Sequence, residues 1–295
     1  MKPNLADLYN LKPQVTELNF INKHANHASL AGSLISRVKG KGLEFEQVRK
    51  YNYGDDIRTI DWRVSARTGK THIKEFLTEK ESEIDIFCEI STSMYFASTG
   101  KFKHIIAAEL VALLNFAGQH NKELLNNYFF GDCLAGLQAF RQKHLSNITT
   151  ASLNFLCETN YQTKAVPEHN LADSLEEVSN RNKNKNLTFI ICSFPELSKK
   201  LNEQLMRLAS KKTVYLCLIS DPLESDLPAT HNLTINTPQG QEYVINLGDK
   251  AARLNYQRQY QKKLAKLETL CSELKITLLN IYSTDNTLAK LVKLL

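Results

Sequence analysis

Glu89, Ser91 and Ser93 fall at alternate positions in the stretch EISTSM, at the end of the apolar run IDIFCEI. An acidic side chain followed by two hydroxyls, at the mouth of a strand, supplies oxygen donors only. That is half of a divalent-cation site, because Mg²⁺ takes oxygen ligands and keeps several waters. Other residues that could do chemistry are sparse. There is no GxxxxGK[ST] loop and no GxGxxG after a strand, and HExxH, GxSxG and clustered His/Cys sets are missing. His24 and His27 stand three apart on an expected helix and read as a solvated or packed helix face. Nothing pairs a nucleophile with a base, so the chain is read as non-enzymatic. The alternative is metal-dependent hydrolysis by Glu89, Asp132 and Asp173, which sit near expected strand or helix ends without the spacing of a two-metal centre.

The elements that must position these residues follow from periodicity. EIDIFCEIS, ELLNNYFFG, NLTFIICSF, TVYLCLIS and KITLLNIYS read as strands. KFKHIIAAELVALLNFAGQH reads as a helix, as do residues around 141–157 and 170–181, SKKLNEQLMRLAS with a serine N-cap, residues 249–274 and NTLAKLVKLL. LTINTPQGQEYVIN alternates on both sides of PQGQ, a hairpin signal. Apolar strands separated by helices predict an α/β fold, a doubly wound and mainly parallel sheet covered on both faces. Ligands in such folds sit beyond the carboxyl ends of strands, where EISTSM and CSFPE both lie. Helical spacing over residues 14–36 and charge-dense, short extended pieces after it predict an N-terminal helical and irregular extension without a core of its own. The expected division is residues 1–83 for that extension and 84–295 for the sheet domain.

Composition bounds the class. A chain of 295 residues, 42% of them hydrophobic, can bury one large core. Its start lacks a charged region followed by an apolar stretch, and no run approaches the roughly 18 apolar residues that span a bilayer. A soluble, cytoplasmic protein without a membrane partner is expected. The six cysteines are scattered singly and read as buried, reduced thiols. The net charge of +6 is concentrated in residues 36–80, which hold eleven Lys/Arg against seven acids. This segment could bind nucleic acid, but the interleaved signs favour Arg–carboxylate pairs that hold an irregular region in place.

The most specific stretch is GKGLEFEQVRKYNYGDDIRTIDWRVSART, residues 40–68, followed by HIKEFLTEKESEIDIFCEISTSM. Together they resemble the bacterial domain-of-unknown-function family fifty-eight. Its pattern is a glycine-basic loop, EF, R-Y, GDD-R-IDW, AR and then a strand ending in D-x-S-x-S. The resemblance covers about the last 255 residues, and implies a von Willebrand factor A-like (Rossmann-like) fold and a protein partner, a MoxR-type AAA+ ATPase. It also implies a metal-ion-dependent adhesion site, with Ser91 and Ser93 as its two serines. Glu89 replaces the first Asp, and Ser193 stands where a second Asp is normal. The threonine position falls to Thr163 or Asn170. Glu is longer than Asp by roughly 1.5 Å, and a credible site tolerates errors of only about 0.2 Å. The expectation is therefore a degenerate site without a tightly held cofactor, Mg²⁺ being the one ion it could take. Within GDDIRTIDWRVSAR, Gly54 can take a backbone conformation closed to other residues and Asp55 or Asp56 can cap a turn. Arg58, Arg63 and Arg67 can form two-pronged bonds with Asp61 and neighbouring carboxylates, and Trp62 can anchor the turn on the main domain. The segment reads as a latch to the sheet, as a partner-binding surface, or as both.

Overall fold

The computed structural model describes residues 2–17, 39–40, 44–53, 55–77, 83–141, 147–163, 170–179, 187–229, 232–236, 242–246 and 248–294. The chain divides into two compact units, Asn19–Glu81 and a larger one made of Met1–Leu18 with Ser82–Leu295. This differs from a boundary at residue 83 with everything before it in one extension. The reason is packing: Leu8 and Val15 are buried, and the Tyr9 ring lies 5.6 Å from that of Phe116. The first residues thus cover a helix of the sheet domain. The expected helical residues 18–36, including His24 and His27, lie outside the described residues.

In the smaller unit, β1 (Lys39–Gly40), β2 (Glu44–Lys50) and β3 (His72–Leu77) form an antiparallel sheet in the order β1-β3-β2. The helix Trp62–Thr68 joins β2 to β3 through a 3-10 turn at Ile57–Thr59. The charge-dense pieces therefore pair with each other as a small sheet.

The larger unit is built on β4 (Glu83–Glu89), β5 (Leu124–Phe130), β6 (Gln138–Arg141), β7 (Leu187–Cys192) and β8 (Thr213–Ser220). A hairpin of β9 (Asn232–Asn236) and β10 (Glu242–Asn246) follows, then β11 (Thr277–Tyr282). The six-stranded sheet runs β11-β8-β7-β4-β5-β6, with every pair parallel except β5 with β6. Chain order proceeds outward from β4 in both directions, so the fold is doubly wound and mainly parallel, as expected. The short, mostly exposed β6 was not legible as a strand, because four residues carry too little alternation.

Side chains alternate between the two faces of each strand. Phe87, Tyr128, Ile190 and Leu216 pack with Leu175, Leu205, Leu267 and Cys271 from the helices Leu171–Ser179, Lys199–Ala209 and Lys250–Glu273. The helix Lys103–His120 packs on β4 and β5, and is buried nearly all round because the N-terminal segment and the helix Thr287–Leu294 cover its outer side. Among the described residues no helix is long and apolar enough to cross a membrane. No cysteine is in a disulfide; Cys88, Cys192, Cys217 and Cys271 are buried as expected, Cys133 and Cys157 only partly, and burial pushes the Cys217 thiol up to about 12.

Two carboxylates with no exposed surface punctuate the sheet. Asp85, inside β4, meets Lys212 at 2.5 Å and accepts from Asn126 Nδ2 at 2.9 Å. Asp221, just past β8, is fully buried. It accepts from the Ser98 amide at 2.9 Å, the Ser98 hydroxyl, the Leu223 amide at 2.9 Å and the Ser283 hydroxyl at 2.9 Å. Burial pushes its carboxyl up, but these bonds, led by Ser98, outweigh that and hold it below the ordinary Asp value. A depressed carboxyl contributes stability above the unfolded-state pKa and loses it as pH falls through the native one. Asp221→Asn is expected to cost about 1–3 kcal/mol at pH 7. In urea unfolding over a pH series, that difference from wild type should shrink below about pH 4. A difference independent of pH would show that charge is not what the site stabilises.

Candidate functional site

Glu89 ends β4 next to β7, at the point where the strand order reverses and ligands of such sheets bind. The loop after β4 carries Ser91 and Ser93, and the loop after β7 carries Ser193. Ser91 Oγ donates to Glu89 Oε1 at 2.5 Å. The Ser193 amide donates to Glu89 Oε2 at 2.6 Å, and its hydroxyl lies 2.8 Å from the same oxygen. Ser93 Oγ is 2.8 Å from Ser91 Oγ, 3.0 Å from Ser193 Oγ and 3.3 Å from Glu89 Oε1. Three hydroxyls and one amide thus converge on a single carboxylate. Among the described residues no Lys, Arg or His forms an ion pair with Glu89.

Two further residues belong to this site. Asp132 accepts from the Thr92 amide at 2.7 Å and the Thr92 hydroxyl at 2.8 Å. Its position depends on Gly131, which holds φ at +132° with its Cα against the backbone of Ile90; a Cβ there would meet the Ile90 carbonyl oxygen at 2.3 Å. The Ile90 amide donates to the Phe130 carbonyl at 2.6 Å and the Cys133 amide to the Ile90 carbonyl at 3.1 Å, so the loops after β4 and β5 touch backbone to backbone. Thr92 was not foreseen. A Gly-Asp pair directly after a strand was the signal for Asp132 as a member of the same site.

Glu89, Ser91, Ser93, Gly131 and Asp132 line one cleft of ≈ 350 Å³, with Phe130, Leu171, Ala172, Phe194 and Pro195 as its apolar wall; Ser193 and Thr92 join it through their bonds to Glu89 and Asp132. Asn170 lines it as well, and its Oδ1 accepts from the Asp173 amide at the start of a helix. Thr163 does not; its hydroxyl accepts from Asn160. Lys200 and Glu196 also line it. Lys200 is held by Asp173 at 2.5 Å and Glu176 at 2.8 Å, and these hydrogen bonds raise its ammonium above the ordinary lysine value. Of the three carboxylates considered for hydrolysis, Glu89 and Asp132 share the cleft, while Asp173 is committed to Lys200.

The donor set does not fit a tight Mg²⁺ site. A dication would find one glutamate and three hydroxyls around Glu89, and Ser193, where a second carboxylate would have to stand, donates both its amide and its hydroxyl to the first. Among the described residues no group of three or more His, Cys, Asp or Glu side chains is placed to hold a metal ion.

The smaller unit holds the remaining expected residues, except Gly54, which lies outside the described residues. Asp55 pairs in a two-pronged bond with Arg49, both contacts at 2.7 Å. Asp56 caps the 3-10 turn and Asp61 caps the helix Trp62–Thr68, accepting from the Arg63 and Val64 amides at 3.1 Å. The expected pairing of Asp61 with Arg58, Arg63 or Arg67 is not what is found. Lys74, 3.8 Å away on β3, is its ion-pair partner, and the three arginines are exposed. The Arg63 and Val64 amides share Oδ1 of Asp61, and Lys74 faces its Oδ2. Trp62 is 71% exposed, and Tyr53 and Ile57 beside it are exposed too.

Sheet, switch point and cleft define a doubly wound, mainly parallel α/β protein with a polar cleft at its strand ends. The chain belongs to the family described as Protein of unknown function DUF58, whose sequence pattern matches residues 47–266. Relatives include the uncharacterized proteins Mb1516 of Mycobacterium bovis and Rv1480 of Mycobacterium tuberculosis. Each is 31% identical over 87 residues, which is 30% of this chain and 27% of the relative. Solved structures with a similar course include the SpRpn10 VWA domain, with a TM-score of 0.38, 10% identity, 73% of this chain and 96% of that one. A von Willebrand factor type A protein from Catenulispora acidiphila has a TM-score of 0.31 and 10% identity over 50% of this chain and 34% of that one. At these scores the fold assignment rests on the strand order itself.

Two outcomes are expected. Gly131→Ala should destabilise by about 2 kcal/mol or more, whereas Gly136→Ala, where a Cβ meets nothing within 4 Å, should stay within about 0.5 kcal/mol; denaturant unfolding of both checks the backbone contact. Millimolar Mg²⁺ should leave the wild-type melting temperature unchanged and raise that of a Glu89→Asp/Ser193→Asp variant. A rise in the wild type would show that the serines do serve a metal.

Proposed function

We propose that this protein is a non-enzymatic adaptor that docks a protein partner at the strand-end cleft bearing Glu89, Ser91, Ser93 and Ser193. The observation that carries this reading is the convergence of three hydroxyls and an amide on Glu89 at the mouth of a cleft with an apolar wall. Polar groups already held in one arrangement lose little freedom when a partner arrives, which favours affinity. An apolar wall with a few fixed polar groups is also the usual make-up of a binding pocket. A hydrolytic role is less well supported: the hydroxyls have a carboxylate as neighbour, and no imidazole or amine is bonded to them among the described residues. The partner is an AAA+ ATPase of the MoxR type, a choice that comes from the family resemblance. A cytoplasmic location accompanies that choice.

The test is co-purification from the native cell extract in the presence of ATP, with the ATPase identified by mass spectrometry. Wild type should retain it. Ser91→Ala/Ser93→Ala, and a rim charge reversal Glu196→Lys, should each reduce capture at least tenfold, with thermal unfolding showing that both variants remain folded. Equal capture by all three proteins would move the interface away from this cleft.

A further inference from the structure

We propose that the cleft receives a cationic side chain, an arginine or lysine of the docked protein, directly on Glu89 and without a metal between them. This rests on the adaptor reading and specifies the chemistry of the group that enters.

Charge is the first argument. Glu89 and Glu196 line the cleft, and among the described residues its lining cation, Lys200, is already bonded to Asp173 and Glu176. Among the described residues the lining thus leaves negative charge without a cation bonded to it at Glu89, and a concave site of one sign draws in the opposite charge. Among the described residues Glu89 is met only by neutral donors, and no cation is bonded to it. Bonds between ionised partners are roughly twice as strong as those between neutral ones.

Hydrogen-bond capacity is the second. A hydroxyl has one hydrogen and two acceptor lone pairs, and an ammonium or guanidinium has only donors. Ser91 and Ser193 direct their hydrogens at Glu89, which leaves their oxygens as acceptors. Ser93 is exposed, with its oxygen 2.8 Å and 3.0 Å from those of Ser91 and Ser193. The carboxylate and the hydroxyl cluster together form an acceptor surface for the several N–H groups of one cation. The third argument is the wall: Phe130, Phe194 and Pro195 offer apolar and aromatic surface to the methylene stem that a Lys or Arg buries behind its charge.

The test uses the full chain, isotopically labelled, with N-acetyl-arginine amide, N-acetyl-lysine amide and the neutral N-acetyl-citrulline amide as probes. The two cations should shift the amide resonances of Ser91, Ser93, Asp132 and Ser193 saturably at millimolar concentration, and citrulline should bind at least tenfold more weakly. Glu89→Gln should weaken the cations tenfold. If that variant does not fold, the wild-type comparison of arginine with citrulline decides alone. Equal binding of citrulline, or displacement of the cations by micromolar Mg²⁺, would overturn the proposal. In the capture assay, Ser93→Phe obstructs the cleft whereas Glu89→Gln removes only charge. Loss of the partner with both supports the cation. Loss with Ser93→Phe alone overturns the cation and leaves the adaptor reading standing; loss with neither overturns both.

Discussion

The carboxylate of Glu89 joins strand ends that lie 104 residues apart in the chain, and the binding face is organised around it. A charge partly withdrawn from water is costly unless hydrogen bonds replace the hydration it loses. Here the replacement comes from two loops at once, so neither loop can move without leaving the carboxylate short of donors. The loop after β4 is fastened in the same way along its whole length. Thr92 binds Asp132 after β5, Ser93 meets Ser193 after β7, Ser98 binds Asp221 after β8, and the Lys101 amide donates to the Ser283 carbonyl after β11. One short segment thus ties together the carboxyl ends of five of the sheet's strands.

β4 carries three carboxylates, and two of them, Asp85 and Glu89, meet opposite solutions. Asp85 has a lysine at 2.5 Å, and Glu89 has hydroxyls and an amide. A buried ion pair balances charge internally and leaves little for an outside group to gain. A carboxylate met by neutral donors keeps its charge available. The difference between the two ends of one strand is the physical basis for placing function at the Glu89 end. The Asp85 end serves as part of the frame.

The smaller unit shows how local rules and charge pairing can diverge. Asp56 and Asp61 do what their positions before helical turns dictate, accepting backbone amides. Those amides take one oxygen of each carboxylate, Lys74 faces the other oxygen of Asp61, and Arg58, Arg63 and Arg67 are exposed, as is Trp62. The fork of Arg49 with Asp55 crosses from β2 to the following turn, a pairing that only the folded geometry selects.

The sequence by itself determined the strands, helices and hairpin of the larger unit, because periodicity reports burial directly: continuous apolar runs became β4, β5, β7 and β8, and helical spacing marked the layers over them. It also placed Glu89, Ser91 and Ser93 at a strand end. The tertiary structure alone decided that Ser193 and Asp132 meet them, that Gly131 makes the loop contact possible, and that residues 2–17 cover the helix Lys103–His120. These are contacts between segments far apart in the chain, set by strand order and register, and local spacing carries no information about either. The weak, four-residue β6 was lost for the complementary reason, since its pairing with β5 comes from a neighbour and not from its own pattern.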